Sequence, residues 1–306
     1  MSAVVQIKNL VKKYEDFTAV NISSLEINEN ECFGLLGPKG SGKSSLAQIL
    51  YGSSFSTEGD AFVLGLNVQD HMSEIKARIG VIPQESIFDD ELSVAENLKI
   101  YAQFYELTGD SATDKISSLL RSLKIEDKAE HSIQSLNFFQ KKKLSIALGL
   151  INSPDLLFID EPTLGLDPTS KRWTLNFLKD LKQQKMTFVI TTENEIDAEV
   201  LCDKVALVDH GKILVVGKPA TLIQELVGKE VVEFDCDSQD INYYIQKLKE
   251  QQFEYQVFQS TVMVFIGSGR LAKDVLSLVT SPRTMLRRPR LSDVFLRLSG
   301  SKLRHQ

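Results

Sequence analysis

The chain has 306 residues, enough for one large domain with a small one, or for two of medium size. Hydrophobic residues at 42% and charged ones at 25% are those of a soluble globular protein, and no apolar run reaches the eighteen residues a membrane-spanning helix requires. A net charge of −6 argues against general nucleic-acid binding, and the scattered Cys32, Cys202 and Cys236 give no metal-ligand spacing and suggest a reducing compartment.

The start, Met1 to Gln6, lacks the basic opening and apolar core of a secretory signal. Val4 to Leu10 alternates as a strand, Lys12 to Val20 reads as a turn and the start of a second, and Ile22 to Ile27 as another. Cys32 to Leu36 is apolar enough for a buried parallel strand, and Ser45 to Leu50 has the apolar face of a helix. Short pieces follow, with a helix expected over Ser73 to Arg78 and a strand over Ile79 to Ile82. From Ser93 the pattern turns helical: Ser93 and Glu96 have capping-box spacing, and Leu98, Tyr101, Ala102 and Tyr105 form an apolar stripe. A second helix over about Asp110 to Leu123 completes a helical insertion at about 90–140.

Strand and helix then alternate, as in an α/β core. Strands are expected at Leu156 to Ile159, Met186 to Ile190, Lys204 to Val208 and Lys212 to Val216, with helices at Ser170 to Gln184 and Glu195 to Leu201. Near 229 the pattern changes to strand, helix, two strands and helix, a small α+β unit closed by an amphipathic helix over Pro289 to Leu298. The division expected is therefore 1–228 and 229–306. The basic run Arg287-Arg288-Pro289-Arg290 reads as solvated.

The chemistry centres on Gly37-Pro38-Lys39-Gly40-Ser41-Gly42-Lys43-Ser44-Ser45, which fits the phosphate-binding loop G-x-x-x-x-G-K-[ST] between a buried strand and a helix. Glycines let backbone N–H groups converge on a phosphate, and the following helix points its positive end at the same place. Lys43 is expected on the β- and γ-phosphates of a nucleotide, and the Ser44 hydroxyl on Mg²⁺. The strand Leu156 to Ile159 delivers Asp160 and Glu161 at its carboxyl end, where open α/β sheets bind ligands; beside a phosphate loop these read as a magnesium ligand and a catalytic base. Tyr14 suits either sheet packing or stacking on a purine base.

With the phosphate loop, Gln84 and Asp160-Glu161 in this order, the chain resembles the ATP-binding subunit of an ABC transporter over about residues 4–227. Glu161 to Pro168 is similar to the family's Walker B glutamate and D-loop, which brings Asp167 into the site. Lys13 to Phe17 looks like the loop that stacks an aromatic, here Tyr14, on adenine; Ile79 to Gln84 is similar to the Q-loop strand and Val94 to Leu98 to the helix after it. The C-terminal extension ending in Asp293-Val294-Phe295-Leu296 looks most like exporters of the drug-resistance and nodulation-factor type.

The resemblance implies a P-loop ABC ATPase fold, ATP and Mg²⁺ as ligands, with Ser44, Gln84 and Asp160 on the metal, and Glu161 polarising the attacking water. It also implies two partners, a second ATP-binding subunit and an integral-membrane permease that carries the substrate pocket, and a cytoplasmic location on the inner face of the cell membrane.

Two departures stand against this. The family signature Leu-Ser-Gly-Gly-Gln is replaced by Leu136-Asn137-Phe138-Phe139-Gln140, where two phenylalanines are expected to obstruct a close backbone approach to the partner's γ-phosphate. The family's switch histidine is replaced by Glu193, a carboxylate that repels phosphate unless protonated or turned away. These leave open a regulatory ATP-binding module with little hydrolysis, or a soluble ABC ATPase outside transport.

Overall fold

A long hairpin opens the chain: β1 (Ala3–Tyr14) runs antiparallel to β2 (Phe17–Asn28), and Tyr14 faces Phe17 across its tip. The computed structural model describes residues 3–85, 88–237, 239–267, 269–281 and 283–300. Where the sequence suggested two strands broken near Asn21, β2 is continuous. The Asn21 N–H leaves the pattern only to donate to Gly211 O at 2.7 Å, tying the hairpin to the main sheet.

β3 (Cys32–Leu36), buried at all five residues, leads through the phosphate loop into α1 (Lys43–Leu50). β4 (Glu58–Val63) and β5 (Leu66–Asn67) complete an antiparallel sheet of order β2-β1-β4-β5. After α2 (Met72–Arg78) and β6 (Ile79–Ile82) comes the helical insertion, α3 (Val94–Phe104) and α4 (Gly109–Ser122), then α5 (Phe138–Gly149). Ser93 and Glu96 form the expected capping box on α3.

β7 (Leu156–Asp160), α6 (Pro168–Gln183), β8 (Thr187–Thr192), α7 (Glu195–Leu201), β9 (Lys204–Asp209) and β10 (Lys212–Gly217) follow. The main sheet has the order β10-β9-β3-β8-β7-β6, with β10 antiparallel to its neighbour and all other pairs parallel. Because β8 lies between β3 and β7, the carboxyl ends of three buried strands open side by side. That is where ligands bind in open α/β sheets. The sheet separates two apolar cores, one shared with the hairpin and one with the helices.

α8 (Pro219–Leu226) links this body to a second antiparallel sheet, β12-β13-β11-β14. Its elements are β11 (Glu230–Asp235), α9 (Ile241–Glu250), β12 (Glu254–Phe258), β13 (Thr261–Ile266), α10 (Ala272–Leu276) and β14 (Thr284–Arg287). The last helix, α11 (Leu291–Ser299), buries Leu291, Val294, Phe295 and Leu296 in the core that holds Ala198 and Leu201 of α7.

The basic run is solvated at Arg288 and Arg290, as the sequence suggested, but not at Arg287. Arg287 forks onto Asp293 at 2.7 and 2.8 Å and reaches Glu233 at 2.7 Å, and Arg290 reaches the buried Glu195. Folding places carboxylates from β11, α7 and α11 around charges that look unpartnered along the chain.

Candidate nucleotide site

The phosphate loop is closed by packing that leaves no room for side chains at two glycines. A Cβ at Gly37 would collide with the Val208 carbonyl oxygen of β9, and one at Gly42 with that of Ala19. Gly42 also holds φ 102°, a left-handed conformation, as it starts α1 two residues earlier than the sequence suggested. No side chain caps α1 and its first turn holds no acidic residue, so its positive end stays available to an anion.

Ser41 Oγ is buried without a hydrogen-bond partner among the described residues, and the space above Gly40 is open. An orphaned hydroxyl in an open glycine cradle fits a phosphate group. Lys43 is buried and donates to Gly37 O at 2.8 Å and Pro38 O at 2.9 Å. Burial pushes its ammonium down, opposed by Glu193, Glu161 and Asp160, so the loop's cation sits among three carboxylates.

Two of those carboxylates end β7. Asp160 accepts from the Thr191 hydroxyl of β8, and the Glu161 N–H donates to Thr191 O at 3.0 Å. Glu161 holds φ 46°, uncommon for a residue with a side chain. Its carboxylate accepts from Thr192 Oγ1 at 3.4 Å, and the nearby Glu193 N–H favours its charged form. Burial raises its carboxyl to about 7; Lys43 opposes that rise, and Glu193 and Asp160 add to it. A carboxyl tuned near neutrality can take a proton from water at physiological pH.

A cavity of about 280 Å³ joins these groups to the hairpin tip. It is lined by Tyr14, Phe17, Lys39, Gly40, Lys43, Ser44, Ser45, Gln84, Glu161, Leu164 and Glu193, among others. Residues expected from five separate stretches thus meet in one place. Phe17 is an addition that the sequence alone did not single out; its signal was its place opposite Tyr14 at a hairpin tip. Lys12 Nζ lies over the Tyr14 ring, 4.7 Å from its centre.

The ABC transporter family model matches residues 20–164. The Nod factor export ATP-binding protein I of Cupriavidus metallidurans is 31% identical, covering 99% of this chain and all of that one. The protein of the same name from Rhizobium meliloti is 32% identical, over 99% of this chain and 90% of that one. The chain belongs to the ABC-transporter ATP-binding subunits. A solved ATP-binding cassette, dimeric in a post-hydrolysis state with ADP and Pi, shares the fold with a TM-score of 0.65 and 25% identity, covering 70% of this chain and 98% of that one. As a member of this family the chain binds and hydrolyses ATP in a transporter that pairs ATP-binding subunits with a membrane permease. Among the described residues no helix is long and apolar enough to cross a membrane.

The family's signature and D-loop positions lie outside the cavity. Asn137 caps α5: its Oδ1 accepts from Gln140 N at 2.9 Å and Gln140 Oε1 accepts from Asn137 N at 2.9 Å. Its side-chain oxygen is therefore committed to the helix, and its amide N–H groups remain able to donate. Asp167 likewise caps α6, accepting from Thr169 N and Ser170 N.

The two phenylalanines differ. Phe138 is 59% exposed, with its ring 3.1 Å from where a Cβ on Gly165 would stand. Phe139 turns inward, edge-on to Trp173 at 5.3 Å between centres, with Lys143 Nζ 4.9 Å from its ring centre. The two rings therefore stand differently at the signature: Phe138 is largely exposed, while Phe139 is half-buried against Trp173 of α6.

Sequence reasoning also passed over Lys142, whose buried Nζ donates to Glu161 O at 3.4 Å. It stands in a run of three lysines that gives no local signal of burial.

Proposed function

We propose that this subunit drives export through a separate membrane permease, working on the inner face of the cell membrane with a second ATP-binding subunit. In this reading Lys43 and the loop Gly37–Ser45 hold the nucleotide phosphates, Tyr14 with Phe17 takes the base, and Glu161 polarises the attacking water. Ser44, Gln84 and Asp160 would hold Mg²⁺, which when bound adds positive charge at the β- and γ-phosphates. Thr191 fixes Asp160, and Thr192 with the Glu193 N–H orients the Glu161 carboxylate. Asn137 to Gln140 and Asp167 would face the partner's nucleotide. Residues 1–228 form the ATP-binding domain and 229–306 an accessory unit.

The observation that carries this reading is the cavity that gathers Lys43, Ser44, Gln84, Glu161 and Glu193 beyond the carboxyl ends of β3, β7 and β8. Support for export comes from relatives named for Nod factor export that align over nearly the whole chain. The test is the chain with and without its permease: Mg-ATP turnover and membrane co-sedimentation should both rise when the permease is present. Equal partition and equal turnover in both conditions would remove transport from the reading. A second reading, a regulatory module that binds ATP and hydrolyses it slowly, is favoured by exposed Phe138 at the signature and by Glu193 on the cavity wall.

A further inference from the structure

α7 is seven residues long and starts two residues after Glu193. One side of it is fixed to the catalytic loop: Thr163 Oγ1, two residues beyond Glu161, donates to Asp197 Oδ2 at 2.5 Å inside the protein. The other side holds the last helix of the chain. Glu195 Oε2 accepts from the Ser292 N–H at 2.7 Å, and Glu199 Oε1 from the Leu291 N–H at 3.0 Å. Glu195 Oε1 also meets Arg290 Nη1 at 3.4 Å, and the Glu195 side chain is only 1% exposed.

Two carboxylates four residues apart on one helix therefore receive the free N–H groups that begin another, where negative charge is favoured. The grip continues into the second sheet, because Asp293 of α11 holds Arg287 of β14, which holds Glu233 of β11. A solvated anchor between two units does not need a fully buried carboxylate, since burying charge is costly unless every partner is in place. Moving the Glu193 end of α7 by even an ångström would pull Glu195 off its N–H donors or carry α11 with it.

We propose that Glu195 is a positioning residue that couples the nucleotide site to the C-terminal unit. Its hold on α11 makes the second sheet part of the body that sets Glu193 against Glu161. Nucleotide bound near Glu193 then shifts the C-terminal unit, and the C-terminal unit shifts nucleotide affinity by the same factor. The proposal rests on the reading that Glu193 faces bound nucleotide.

The experiment is amide hydrogen exchange on the full chain carrying Glu161→Gln, with and without saturating Mg-ATP, reading residues 37–45 and 288–296 separately. Mg-ATP should protect 37–45 and change exchange at Leu291 and Ser292 by about 5-fold or more, the lower end of typical coupling. Adding Glu195→Ala should abolish the change at 288–296 while 37–45 stays protected, and Glu195→Gln, which keeps an acceptor for the Ser292 N–H, should retain part of it. Protection at 37–45 with no change at 288–296 overturns the coupling alone. No change at either place overturns the nucleotide site and the coupling with it. A change at 288–296 that survives Glu195→Ala removes Glu195 from the role.

Discussion

Lys142 Nζ lies 3.4 Å from the carbonyl oxygen of Glu161, in the interior, joining the helix behind the altered signature to the residue that follows β7. Burial pushes its ammonium down to about 8, while Asp160 and Glu161 hold it up against that. One buried cation thus connects α5 to the candidate base. Lys142→Met is expected to lower turnover about tenfold, equivalent to roughly 1.4 kcal/mol of barrier. The Mg-ATP dissociation constant should stay near that of the parent, and Lys142→Arg should recover most of the loss. Steady-state phosphate release with a parallel binding titration checks this. A loss that appears wholly in binding would show that Lys142 shapes the pocket and not the base.

The Glu161 carboxyl, raised to about 7 mainly by burial, gives a pH signature. Below that value it is neutral and cannot take a proton from water, so kcat/KM should climb with pH through a midpoint near 7. Stability moves the other way. The folded carboxyl holds its proton more tightly than an unfolded one, so its contribution is complete below about 4.5. That contribution is lost as pH rises from there to about 7. The check is kcat/KM from pH 5.5 to 9 alongside melting of parent and Glu161→Gln. A flat rate profile would mean that another group activates water.

Arg287 sits in a pocket of carboxylates with its side chain only 22% exposed. Burial opposes its charge, but the fork onto Asp293 and the bond to Glu233 outweigh that and hold it protonated. Arg287→Met leaves Asp293, 3% exposed, without its cation. The expected cost is about 3–5 kcal/mol, as for other buried pairs broken on one side. Thermal unfolding should show the loss, and Arg287→Met with Asp293→Leu should recover part of it. A single variant as stable as the parent would place these charges in water.

The sheet and the home side of the site were legible in the sequence because local rules govern them. A loop that must wrap phosphate needs glycine at Gly37 and Gly42, and a buried strand that delivers charge reads as Leu156 to Asp160. What escaped depends on neighbours distant along the chain. Nothing near Phe139 in sequence shows that its ring meets Trp173, thirty-four positions on. Lys142 was not singled out, because its partner, the Glu161 carbonyl, lies nineteen residues further along the chain. α8 and β14 were not read at all: four residues, Thr284 to Arg287, carry too little alternation to mark a strand, which forms by pairing with β11. The capping box, by contrast, was local enough at Ser93 and Glu96 to be read directly.

The unequal phenylalanines refine how the altered signature can be repaired. Catalysis of phosphoryl transfer is mainly positioning and electrostatic stabilisation, so donors absent on the partner side slow turnover without preventing binding. Phe138 stands exposed at the altered signature, while Phe139 packs edge-on against Trp173. Asn137→Ser and Phe138→Gly, with Glu193→His in the same chain, should therefore raise turnover, each tenfold gain equal to about 1.4 kcal/mol. Adding Phe139→Gly should give no further rate and should destabilise the chain, toward the low end of the roughly 3–5 kcal/mol seen when a packed aromatic is truncated. Each kcal/mol of that loss would lower the melting temperature by about 2–4 °C in a domain of this size. The measurements are phosphate release at saturating Mg-ATP and thermal unfolding of the parent, triple and quadruple variants, with Glu161→Gln as the blank. Brisk turnover by the parent, unchanged in the triple variant, would mean that Phe138 is accommodated at the dimer interface and that the γ-phosphate is held by other groups.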